Sequence, residues 1–71
     1  MKTKKHIRDM KRKTLEVIPD FDTSLFDKTY EELHALMVLH FEDEAMFTYF
    51  FVKDWKFNKL SDTQFLNYLI L

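Results

Sequence analysis

The sequence predicts an all-α chain, a compact bundle of three or four short helices. Three observations carry this expectation. Apolar residues recur at helical spacing through residues 4–18, 30–41 and 60–70. Thr29 with Glu32, and Ser61 with Gln64, have the spacing of helix capping boxes. The chain contains no glycine, so the Asn-Gly, Asp-Gly and Gly-X signals of two-residue β-hairpins are absent. Seventy-one residues set a single small domain, 1–71.

The first helix covers residues 4–18. Ile7, Met10, Thr14, Val17 and Ile18 share one side, while Lys4, Arg8, Lys11 and Arg12 share another. Pro19 disfavours a helical Ile18 and sets the end. Residues 19–24 form a connection with Phe21 turned inward. The second helix starts near Asp27 or Thr29 and runs to about His40, with Tyr30, Leu33, Leu36, Met37 and Phe41 as its stripe. Glu42, Asp43 and Glu44 mark the next start, because acids favour a helix N-terminus.

The third element, 43–56, reads two ways. As a helix it is apolar on nearly every side and needs burial on more than one. As a strand, 46–52 would give a small α+β fold, and its Phe-Thr-Tyr-Phe-Phe-Val run has high β-propensity. A lone strand needs a partner, and only Leu15–Ile18 offers a weak one, so helix is the preferred reading. It should end near Phe57, with Asn58 as the left-handed residue that a chain without glycine can use. A last helix follows Ser61, with Leu60 and Phe65 placed as a hydrophobic staple.

Composition excludes more than it assigns. No cysteine means no disulfide and no thiolate metal site. No glycine removes the phosphate-cradling, dinucleotide-binding and nucleophile-elbow motifs. Ser24 and Ser61 are the only serines, and the second is better used as a cap. So small a bundle should have little room for a pocket of about 300 Å³. The expectation is a non-enzymatic protein without cofactor. No apolar run reaches the roughly 18–20 residues that cross a bilayer, and no h-region follows the charged start, so a cytoplasmic location is expected. Size alone points to a phage or plasmid origin.

The stretch "HFEDE", residues 40–44, resembles the His-Phe-x-x-Glu ligand segment of hemerythrins. That resemblance implies His40 and Glu44 as iron ligands. The family carries a second acid after the glutamate, where this chain has Ala45, and its other histidines lack counterparts. His34 lies about 240° around a helix from His40 and cannot join the pair. No metal site is therefore expected. "IPDFDTSLF" resembles the Pro-Asp-x-Asp turn of a small acidic iron–sulfur assembly regulator, but that family's tryptophans and later acidic motif are absent, and no residue is carried over.

Charge is strongly divided. Residues 1–13 hold seven cations against Asp9, net +6, and residues 14–71 hold four lysines against eleven acids, net −7. The cations would lie near acids such as Glu42–Glu44 if the first helix is merely solvated. Twelve aromatic residues are many for so small an interior. Phe47, Phe51 and Phe65 are expected in the core. Tyr49, Trp55 and Tyr68 are expected to be at least partly exposed.

The leading expectation is a protein–protein interaction module, a stoichiometric regulator or inhibitor. It would cover a partner, possibly basic, through Tyr49, Phe50 and Trp55 framed by Glu42, Asp43 and Glu44, and it could form a homodimer. Trp55→Ala would then abolish capture without large loss of helicity. The alternative is a small DNA- or RNA-binding regulator acting through Lys4, Lys5, Arg8, Lys11, Arg12 and Lys13.

Overall fold

Thr3 opens the first helix by accepting the His6 amide on its hydroxyl at 3.1 Å. Helix α1 runs Lys4–Val17 and stops where Ile18 turns extended before Pro19. A 3-10 helix, Thr23–Asp27, follows, capped by Asp22. Helix α2 is Tyr30–Leu39, α3 is Ala45–Lys56 and α4 is Asp62–Ile70. The computed structural model describes residues 2–57 and 59–70, and among them there is no strand, so 46–52 is helical. Asn58 lies outside the described residues.

Both capping boxes form. The Thr29 hydroxyl accepts the Glu32 amide at 3.1 Å, and the Glu32 carboxylate accepts the Thr29 amide at 3.0 Å. Ser61 and Gln64 exchange the equivalent bonds at 3.1 and 2.9 Å. The 3-10 helix, read from sequence as mere connection and the lead-in to the second helix, contributes Leu25 and Phe26 to the core.

The core gathers at one end of an α2–α3 hairpin. It holds Met10 of α1, Leu25 and Phe26, Leu33 of α2, Val52 and Trp55 of α3, and Phe65 of α4. α1 packs on α4 and the 3-10 helix, and α3 on both as well. Thus the start of α2 and the end of α3 are covered, while the opposite halves of the hairpin project past the core. The radius of gyration, 11.3 Å, equals the roughly 11 Å of a compact chain of this length, so the projecting apolar residues do not reflect an open fold.

Burial inverts the expected faces of α3. Trp55 is 0% exposed and Phe47 is 55% exposed, so both expectations are corrected. The reason is that α3 turns its Val52–Lys56 end inward, together with two lysines. Lys53 Nζ lies over the Tyr30 ring at 4.8 Å. Lys56 Nζ donates to the Lys28 carbonyl at 2.6 Å. Burial pushes the Lys56 ammonium below its usual value, against the attraction of Asp27 and Glu32. With these partners the lysine stems pack inside, and the indole takes the centre. Val17, expected inward, is exposed, because α1 ends past the core.

Glu42, in the turn between α2 and α3, has φ of 74°. That is the left-handed region, unfavourable for a residue with a Cβ. Glu42→Gly is expected to raise stability by about 1 kcal/mol net of its unfolded-state entropy, or a few degrees in thermal melting.

Candidate functional site

The projecting end of the hairpin is the most unusual surface. Val38 and Leu39 at the end of α2, and Phe41 in the turn after it, are 63%, 76% and 71% exposed. The sequence did carry a signal for them: Leu36-Met37-Val38-Leu39 places apolar groups on every side of a helix, and α3 can cover only one.

The three acids sit in the turn beside them, all exposed. They precede α3 rather than opening it. The Asp43 carboxylate accepts the Ala45 amide at 3.3 Å, while Glu44 makes no side-chain cap. Asp43, not Glu44, also approaches His40, at 3.6 Å from Nδ1. Among the described residues no group of three histidine, aspartate or glutamate side chains converges as metal ligands would.

An aromatic band continues along the outside of α3. Phe50 is exposed and meets Phe51 edge-on with centroids 5.7 Å apart. Phe51 stacks on Tyr68 of α4 at 4.1 Å and 7°, and on Phe47 at 6.4 Å. Tyr49 is half-buried and its ring sits 5.3 Å from that of His40. Of the expected aromatic set, Phe50 is exposed, Tyr49 is half-buried beside His40, which approaches Asp43, and Trp55 is buried.

Trp55 has a different task. Its Nε1–H donates to Asp62 Oδ1 at 2.8 Å, and both Asp62 oxygens lie within 3.0 Å of His6 Nε2. This clasp joins α1, α3 and the first residue of α4. Burial raises the Asp62 carboxyl, but the bonds from Trp55 and His6 outweigh it and hold the group below the usual aspartate value of 3.8. A depressed folded pKa gives stability that is present above the unfolded value and lost as pH falls through the folded one. The stability gap between the wild type and Asp62→Asn is accordingly expected to be full at about pH 6 and to close below about pH 4, read by urea melts. A gap unchanged at low pH would contradict the clasp.

Behind the aromatic band lies a groove of about 510 Å³, open to solvent, between α3, α4 and the Ile18–Asp22 connection. The expectation of little room for a pocket is corrected: the segment after Pro19 stands away from α3 instead of filling the space. Phe21 forms part of its wall and packs on the core ring of Phe26 at 5.7 Å. Asp20 and Asp22 also line it, and no cationic residue does among the described residues.

The basic helix faces elsewhere. Lys11 pairs with Asp27 at 2.7 Å and Arg12 with Glu16 at 3.6 Å, not with Glu42–Glu44. The cause is that α1 lies against the 3-10 helix, whose last residue is Asp27. Lys4, Lys5, Arg8 and Lys13 form no ion pair among the described residues. No family model, curated protein or solved structure matches the chain.

Proposed function

We propose that this protein is a non-enzymatic interaction module that covers a basic surface of another protein with the end of its α2–α3 hairpin. One observation carries the reading: Leu39 and Phe41, at 76% and 71% the two most exposed large apolar side chains among the described residues, adjoin the acidic turn Glu42–Glu44. Exposed apolar groups clustered beside like charges are the composition of a partner surface, with the apolar groups giving affinity and the rim charges giving rate and choice of partner. The acids also weigh against an anionic lipid surface. A stoichiometric regulator or inhibitor is the role such a surface supports. The test is affinity capture from the native host with the wild type and a Leu39→Ser/Phe41→Ser chain side by side. A protein held by the first and lost by the second supports the reading, and identical captures overturn it.

A second reading has its own observation. Lys4, Lys5 and Arg8, without an ion-pair partner among the described residues, lie within one side of the start of α1 and could contact phosphates. Gel shifts across salt decide it, since no binding at about 50 mM salt removes it.

A further inference from the structure

We propose that the groove beside α3 is a recognition site for an arginine side chain carried on an apolar peptide segment. The inference rests on the partner-binding reading and names what the partner brings.

Four features point to this occupant. First, the groove carries Asp20 and Asp22 and no base, and neither acid forms an ion pair among the described residues. Second, Asp22 is held in place. Its Oδ1 accepts the Ser24 amide at 3.1 Å and the Ser24 hydroxyl at 2.6 Å, leaving Oδ2 without a protein donor among the described residues. The hydroxyl and amide of Ser24, and more weakly Lys28, keep that carboxyl below its ordinary value, so it stays ionised. Third, the Phe51–Tyr68 stack supplies an ordered aromatic wall. A guanidinium is attracted to such faces, and its planar fork can send one N–H to the free Oδ2 of Asp22 while the plane lies along a ring, which the compact lysine ammonium does not match. Fourth, about 510 Å³ lies within the roughly 300–1,000 Å³ of small-ligand sites, so a residue next to the arginine can enter with it. Ile18 and Leu69 offer that residue an apolar seat.

The site differs from the hairpin end in composition and place. Leu39, Phe41 and the three acids do not line it. A partner could use both, with an arginine in the groove and a basic surface over the turn.

The experiment uses the full chain and a fluorescein-labelled dodecapeptide of arginine and leucine at helical spacing, with matched glutamine-for-arginine and lysine-for-arginine peptides. Anisotropy titrations are expected to give a Kd of about 10 µM for the arginine peptide and at least about tenfold weaker binding for the other two. Asp20→Asn/Asp22→Asn should lower arginine-peptide affinity about tenfold. Both positions are exposed and asparagine keeps the cap at 22, so unfolding does not obscure the result. Tyr68→Ala tests the wall from the exposed side. Equal binding of the glutamine peptide overturns the proposal in favour of a purely apolar occupant. Equal binding of the lysine peptide overturns the assignment of arginine. Binding of no peptide overturns it, and a dimer seen in sedimentation that Tyr68→Ala disrupts would then assign the groove to a second copy. Leu39→Ser/Phe41→Ser should leave peptide affinity unchanged, so the groove and the hairpin surface can fail separately.

Discussion

Trp55→Ala is expected to remove roughly half of the chain's stability. The indole is fully buried and meets the rings of Phe26, Phe65 and His6 at 5.5, 5.9 and 5.4 Å. Removing such a side chain costs about 3–5 kcal/mol. A chain of 71 residues holds on the order of 4–10 kcal/mol in all. The loss includes the Nε1–H bond, which leaves Asp62 to His6 alone. Trp55→Phe keeps a ring in the core and should cost less, by about 1–3 kcal/mol. Far-UV circular dichroism and urea melts of both chains measure this. A Trp55→Ala chain with wild-type helicity and midpoint would mean that the core is not centred on the indole. Loss of capture by this variant would report unfolding, so it cannot test the interface.

The hairpin end gives the opposite pattern. Leu39→Ser/Phe41→Ser should abolish capture while moving the melting temperature little, because both side chains are mostly in water already. Central apolar anchors cost about 2–4 kcal/mol each when truncated, so a weakening of about 100-fold is a modest expectation. Glu42→Gln/Asp43→Asn/Glu44→Gln should act differently. It should slow association and reduce its salt dependence, with a smaller effect on dissociation. Surface plasmon resonance of the captured partner separates the two variants. If the serine variant binds as the wild type does, the apolar end is not the contact.

Helix boundaries were the most legible part of the sequence, because caps are local chemistry. Thr29, Ser61 and Pro19 act through neighbours a few residues away, and all three set ends where expected. The helical choice for 46–52 was legible for a related reason: no second strand existed to pair with it. Which side of α3 faces inward was not legible. Its apolar residues surround the helix, so the decision passed to two lysines that found an aromatic face and a backbone carbonyl 28 residues away in sequence. Those partners are tertiary and leave no periodic trace. The same uncertainty hid the groove, whose walls come from three separate segments.

The left-handed Glu42 bears on how this protein could be improved or worn down. A chain without glycine has set a carboxylate, at a conformational cost, on the turn that faces the proposed partner. Selection for thermal robustness alone would replace it, and the acidic turn would lose one of its charges. Robustness and recognition thus pull against each other at a single backbone angle. A hardened scaffold is better sought among the exposed positions of α1 and α4, where added helix propensity leaves the hairpin end as it is.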